Sequence, residues 1–410
     1  MVRVQPIALS VALFLGAGAA GAQERIAHLS LGQAVDLATR ENHTFRAKGL
    51  EVETIRANEI TAGLRPNHTA TYLAEQWGSS GDPQHTASIS QTIEMGGKRQ
   101  RRIDSARAAT RVGGYDLADV RRQIVFQVKS AFVGALIAKA ALALAEQNLK
   151  TIEEIETVQR FRAEKGDISE LELIRIQVQR FAFERDALDA RQAVRTAKIG
   201  LRAVAGPDRI AEDFDIVGEL GFRDVPYPTP ELYRLAVANR PDLRSAEAAR
   251  EKARADINLA RANASWDITP LLEYQRIGPD NTIGFGISVP IRIFDRNQGE
   301  IARTQVEADR VEEIRRALLV QIRAEVETAL AAVEVQRQKV LALRDTYLPK
   351  AQQARETVEF AYRRGGVTLL DFLDAQRTYR ETAVNYVQSL GGYWAGVYQL
   401  EAAVGVPLER

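Results

Sequence analysis

Residues 282–291 read Thr-Ile-Gly-Phe-Gly-Ile-Ser-Val-Pro-Ile, so that Ile283, Phe285, Ile287, Val289 and Ile291 alternate with Thr282, Gly284, Gly286, Ser288 and Pro290. A period of two, with one apolar face and one small or polar face, marks a strand whose two sides meet different surroundings. Just upstream, residues 266–275 form a second strand-like run, with Gly278-Pro279-Asp280-Asn281 as the turn between them. A similar pair, residues 67–77 and 86–93, flanks Gly78-Ser79-Ser80-Gly81-Asp82-Pro83 earlier in the chain.

The two pairs belong to a longer repeat. A shift of 198 residues aligns Leu37-Ala38 with Leu235-Ala236, Phe45 with Leu243, Ile89-Ser90 with Ile287-Ser288 and Val128 with Val326. With one further residue of offset, Gly166 meets Gly365, Ser169 meets Thr368, Gln177 meets Gln376, and Leu201 and Gly206 meet Leu400 and Gly405. The period is far longer than that of a solenoid, so the chain is an internal duplication. Residues 23–206 and 229–410 are the two copies, and 207–228 is the linker.

Each copy reads in the same order: a short helix, a second helix, the strand pair, a very long helix and a returning helix. Ser30 is a candidate N-cap for the first helix, and Thr229-Pro230-Glu231 opens its copy. The long helices span about 98–165 and 297–364, which at 1.5 Å per residue is roughly 100 Å. Within the first, Ile124, Val128, Ala131, Ala135, Ala138, Leu142, Ala145, Leu149 and Ile152 alternate spacings of four and three, as in a coiled-coil seam. Ile322, Val326, Ala329, Val333, Val340, Leu343 and Tyr347 continue it in the copy. Glycine-containing breaks at Lys165-Gly166-Asp167 and Arg364-Gly365-Gly366 lead into returning helices over 168–205 and 367–404.

The N-terminus has a basic start at Arg3, an apolar stretch and a small-residue run ending Ala20-Gly21-Ala22, the layout of a secretory signal peptide over 1–22 with cleavage after Ala22. That apolar core is too short to span a bilayer as a helix, and no later run of about 20 apolar residues is expected to do so. Strands of about ten residues are long enough when tilted. Four strands cannot close a barrel, and a barrel in lipid leaves no edge unpaired, so several copies must pool them; three copies give twelve. Trp77 and Tyr274 are expected at the outer strand ends, and Trp266 and Phe294 at the inner ends, where aromatic belts lie.

Composition narrows the function. The chain has no cysteine, which removes thiolate ligands, cysteine nucleophiles and an acylated N-terminal cysteine. A net charge of +1 speaks against a nucleic-acid partner. His28, His43, His68 and His85 are not paired at ligand spacing, and Met95 is the one methionine after the initiator, so neither a metal site nor a cofactor is expected. No nucleophile–base motif or phosphate loop points to an enzyme. A soluble periplasmic coiled-coil scaffold would account for the seams but not for the duplicated alternating strands.

On the duplication and its element order, the chain resembles the TolC-type outer-membrane efflux family over essentially the whole mature sequence. Gln91-Thr92-Ile93-Glu94-Met95-Gly96-Gly97-Lys98-Arg99 and residues 289–299, which include Pro290, resemble the strand-to-helix passages of outer-membrane subunits in cobalt-zinc-cadmium efflux systems. The resemblance implies a mainly α fold: a homotrimer with a helical tunnel in the periplasm and a 12-stranded barrel in outer-membrane lipid. It also implies passive conduction from an inner-membrane transporter, of the resistance-nodulation-division type, through a periplasmic adaptor. Export of drugs or of secreted polypeptide is the alternative cargo. Gly96, Gly97 and Pro290 are then the barrel-to-helix junctions. Gly166, Asp167, Ser169, Arg364, Gly365, Gly366 and Thr368 are the tips that meet the adaptor. Asp371 and Asp374, three residues apart on one helix face, match the family's constricting aspartates; the first copy departs there, with Glu172 and Arg175.

Overall fold

The computed structural model describes residues 25–76, 81–225 and 229–408. The first copy runs β1 (Ile26–Ser30), α1 (Leu31–Glu41), α2 (His43–Gly63), β2 (His68–Glu75), β3 (Gln84–Gln91), α3 (Lys98–Glu164) and α4 (Glu170–Ala205). After β4 (Ile210–Val217) come α5 (Leu232–Asn239), α6 (Pro241–Asn263), β5 (Thr269–Ile277), β6 (Asp280–Ser288), α7 (Gln298–Ala342), α8 (Leu348–Arg363) and α9 (Leu369–Val404). The leader-like residues 1–22, Trp77 with Gly78-Ser79-Ser80, and Pro226-Tyr227-Pro228 lie outside the described residues.

Capping chemistry sets the helix starts. Ser30 and Gln33 form a reciprocal box at α1, the Ser30 N–H donating to Gln33 Oε1 at 2.9 Å and the Gln33 N–H donating to Ser30 Oγ. Asn42 Oδ1 accepts from the Thr44 and Phe45 N–H groups at the start of α2, while its Nδ2 donates to the Val204 carbonyl. In the second copy Arg240 occupies the Asn42 position and donates to the Ala403 carbonyl at 3.2 Å. Two different side chains thus tie equivalent helix junctions to the ends of equivalent returning helices, α4 and α9.

The four barrel-type strands form one antiparallel sheet in the order β2-β3-β5-β6. Register puts Ala70, Ile89, Leu272 and Phe285 in one row and Tyr72, Ala87, Tyr274 and Ile283 in the next. The opposite face carries Thr71, Ser88, Glu273 and Gly284. The alternation is clearest in these middle rows, since His85, Arg276 and Asn281 follow on the apolar side and Leu73 and Leu271 lie on the other; the apolar band is bare, with Ile283 76% and Phe285 72% exposed.

Two cores repeat each other. In the first, Ala38, Ile124, Val128, Leu201 and Ala205 are buried together; in the second, Ala236, Ile322, Val326, Leu400 and Val404 take the same places. A third, smaller core near the far ends of the hairpins joins Ile152, Ile155, Ile176 and Phe183 to Tyr362, Leu369 and Phe372.

The structure corrects the sequence reading in four places. The segment 207–228 is more than a linker, because β4 within it pairs in parallel with β1 and buries Ile210, Phe214 and Ile216 in the first core. The second long helix is interrupted by a π-turn at Leu343–Tyr347. The strand expected to run to Ile291 ends at Ser288, before Pro290. Finally, α3 holds a stretch apolar and long enough to cross a membrane by composition alone, with mean hydropathy 1.7. Phe132, Val133, Ala135 and Leu136 of this helix are buried in the two main cores, which accounts for part of its apolar character.

Candidate functional site

The passage from sheet to helix is built on backbone that only certain residues hold. Gly96 and Gly97 have φ of 68° and 72°, and Gly97 is the N-cap of α3. Asn297, at φ 61°, caps α7 in the same left-handed conformation. The sequence reading missed Asn297, although asparagine is the residue after glycine that tolerates this region. A Cβ at Gly96 would collide with the Ser265 side chain, whereas one at Gly97 meets open space. The junction is braced by Lys98, 5% exposed, whose Nζ lies 2.7 Å from both oxygens of Asp267. Arg102 pairs with Glu94 and donates to the Leu64 carbonyl at 3.1 Å.

At the opposite end the two hairpin turns have the same geometry. Gly166 and Gly365 hold φ of 78° and 76°. In one tip the Gly166 N–H donates to the Ala163 carbonyl and Asp167 N–H to Arg162; in the other, Gly365 N–H donates to Tyr362 and Gly366 N–H to Ala361. This is the paired bonding by which a left-handed residue terminates a helix. Ser169 Oγ accepts from the Glu172 N–H, and Thr368 Oγ1 from the Asp371 N–H at 3.2 Å, so both hydroxyls cap the returning helices. Lys165 and Arg364 lie over the rings of Phe161 and Phe360, repeat-equivalent positions.

Asp371 and Asp374 are both exposed on α9, with Phe372 between them fully buried and stacked on Tyr362 at 5.0 Å between ring centres. Asp371 completes a capping box: its Oδ2 accepts from the Thr368 N–H at 3.0 Å and hydroxyl at 2.6 Å. Those bonds, the hydroxyl's first, hold its carboxyl below the usual carboxylate range. Asp374 pairs with Arg377 at 2.7 Å. In the first copy Glu172 accepts from the Tyr362 hydroxyl at 3.4 Å, and burial together with that carboxylate pushes the phenol pKa upward. Nearby, Glu156 is 3% exposed on α3; burial works to raise its pKa, but bonds from Arg160 and Arg180 outweigh it and hold the carboxyl low.

The duplicated hairpins and open apolar sheet coincide with a known family: residues 60–207 and 232–406 match Outer membrane efflux protein. The chain belongs to the outer membrane efflux protein family. It is similar to the cobalt-zinc-cadmium resistance protein CzcC of Cupriavidus metallidurans, 27% identical over 93% of this chain and 91% of the relative. It is also similar to the pyoverdine export outer membrane protein OpmQ of Pseudomonas putida, 25% identical over 85% of this chain and 80% of the relative. A membrane protein crystallised from Pseudomonas aeruginosa shares the fold, with a TM-score of 0.80 at 19% identity over 93% of this chain and 94% of that one. The efflux family places the protein in the outer membrane, with its helical body as the periplasmic tunnel.

Proposed function

We propose that this efflux protein is the passive exit duct of a three-part system. Three copies pool their four-stranded sheets into a 12-stranded barrel, and the helices form a tunnel fed by a periplasmic adaptor and an inner-membrane pump. The observation that carries this is the four-stranded sheet with an exposed apolar band on one face and, among the described residues, two unpaired edges, β2 and β6. Such a sheet is compatible with lipid only when other strands close it. The likeness to a cobalt-zinc-cadmium resistance protein over nearly the whole chain supports heavy-metal cations as cargo. The likeness to a pyoverdine exporter supports a second reading, export of organic molecules.

Removing the gene and measuring tolerance and cell-associated content of cobalt, zinc and cadmium separates the two. Loss of metal tolerance is expected; unchanged metal tolerance with reduced organic efflux refutes the cation reading. A native mass of one or two chains in mild detergent refutes the trimer.

Within the duct, Asp371 and Asp374 are assigned to the narrow periplasmic entrance, where threefold symmetry gathers their carboxylates and favours cations. Asparagine can accept the same capping bonds, so Asp371→Asn with Asp374→Asn is expected to keep α9 capped while lowering cation selectivity of the reconstituted pore. Unchanged selectivity and divalent-cation block remove them from the constriction. The tips at Gly166, Asp167, Ser169, Arg364, Gly365, Gly366 and Thr368 are assigned to adaptor contact. Bulky replacements of Gly365 and Gly366 should abolish adaptor crosslinking while leaving membrane insertion intact.

A further inference from the structure

The two returning helices carry equivalent grooves, one filled by the chain and the other open. In the second copy the inter-repeat segment 218–225 fills it. Val225 joins the core with Val340, Leu390, Tyr393 and Val397, and Leu220 and Phe222 pack against that core. The Tyr393 hydroxyl accepts from the Val225 N–H at 2.9 Å and donates to the Arg223 carbonyl, while Trp394 Nε1 donates to the Gly221 carbonyl. The groove therefore holds a non-helical peptide partly by its backbone.

A shift of 199 residues carries these positions into the first copy, where Leu390 becomes Arg191, Tyr393 becomes Val194, Trp394 becomes Arg195 and Val397 becomes Lys198. There the groove is a cavity of about 590 Å³ between α4 and β4, with Leu142 and Phe214 among its lining. Arg191, Arg195, Lys198 and Arg202 all line it, and their spacings of four, three and four set them on one helix face. The stripe is about 16 Å long. An apolar filler would strip these cations of water without replacing its bonds, so a segment like 218–225 does not suit this copy.

The facing wall carries Glu212 and Asp213, so four cations stand against two carboxylates in the lining. The ends of the stripe are engaged: Arg191 pairs with Glu146 at 2.9 Å and Arg202 with Glu212 at 3.6 Å. At its centre, Arg195 and Lys198 form no ion pair among the described residues; Lys198 lies over the Phe214 ring. Asp215 feels Lys198 but is bonded to Lys139 at 2.8 Å.

We propose that this groove docks an acidic peptide segment of a periplasmic partner protein. The segment lies as 218–225 does in the second copy, with its carboxylates on Arg195 and Lys198 and a backbone N–H donating to Asp213. The groove is about 40 Å along α4 from the tip at Ser169, well away from the residues assigned to adaptor contact. It goes beyond the duct reading and does not depend on it.

Fluorescence anisotropy on the assembled full chain tests this with a labelled peptide of alternating leucine and glutamate, eight residues long like segment 218–225. Its counterpart with glutamine for glutamate is the neutral probe. The glutamate peptide should bind at least about tenfold more tightly than the glutamine peptide, as two ion pairs allow. Arg195→Gln with Lys198→Gln should weaken the glutamate peptide about tenfold, whereas Lys339→Gln with Lys350→Gln, which removes the same charge from α7 and α8, should leave it unchanged. None of the four side chains is buried, so both variants should fold. No binding of the glutamate peptide, equal binding of the two peptides, or equal losses in the two variants overturns the proposal. Full displacement by inorganic phosphate makes the groove a free-anion site, and binding to single chains but not to the assembled protein makes it a contact between copies; either result also overturns it.

Discussion

Arginine placed at Phe285 tests which face of the sheet meets lipid. Phe285 lies in the interior of β6, in one register row with Leu272, Ile89 and Ala70, and is 72% exposed on the isolated chain. If that face meets lipid, an arginine there costs about 2–4 kcal/mol near the bilayer midplane, or about 6–12 kcal/mol over three copies. Ser88→Arg is the control. Ser88 lies on the opposite face, directly across from Glu273, so its new charge faces water and a carboxylate and should cost under about 1 kcal/mol. Denaturant titration of protein folded into lipid vesicles reads both. Phe285→Arg is expected to abolish or severely shift folding, and Ser88→Arg to leave it near wild type. Equal losses, or a larger loss for Ser88→Arg, would refute the assignment of the apolar face to lipid.

Arg240, 2% exposed, bonds Asp242, Glu325 and the Ala403 carbonyl; Arg240→Met leaves Asp242 with only Arg122 at 3.9 Å and the Leu243 N–H, while Glu325 turns to solvent, and should cost about 2–3 kcal/mol in thermal or denaturant unfolding. Burial works to raise the Asp242 pKa, but its bonds to Arg240 prevail and hold the carboxyl below its ordinary 3.8. The stability it supplies is therefore complete above that value and is lost as pH falls through the lower folded value, a dependence that Arg240→Met should flatten. At the barrel junction, Gly96→Ala should lower the melting temperature more than Gly97→Ala, because only the first meets Ser265. Gly97→Asn should be nearly neutral, since Asn297 already holds the same backbone conformation; a large loss would show that the junction needs glycine for another reason.

What could be read from the residues was what repeats or alternates. The faces of the sheet, the seams of the long helices and the glycine turns each rest on a local pattern that the duplication writes twice. β1 and β4 escaped because a five-residue strand and its partner are far apart in sequence, and neither shows a clean alternation. Their pairing is a tertiary event, bulged between Ile26 and His28. The role of Asp267 was hidden for the same reason: its partner Lys98 is far away in sequence, across the strand-to-helix junction. The π-turn was visible in principle as the change of offset between copies, together with Pro349. Asp371 was legible as an acidic residue in a first helical turn; the capping bonds to Thr368 show that the same carboxylate stabilises the helix whatever it does for ions.

The open edges of the sheet also bear on how such a chain assembles. Antiparallel pairing makes β2 and β5 run one way and β3 and β6 the other, so the β6 edge of one copy is antiparallel to the β2 edge of the next. In lipid each unpaired backbone group costs several kcal/mol, and an edge of eight or nine residues presents a row of them. A lone copy therefore has no stable inserted state on the duct reading. Its two main helical cores, by contrast, are buried within one chain. The order of events follows from that contrast: the body folds first as a monomer, and the sheet enters lipid only with the closing of the ring. Insertion should then depend on roughly the third power of protein concentration at limiting dilution, and first-order insertion kinetics would show that a single copy can cross the interface alone.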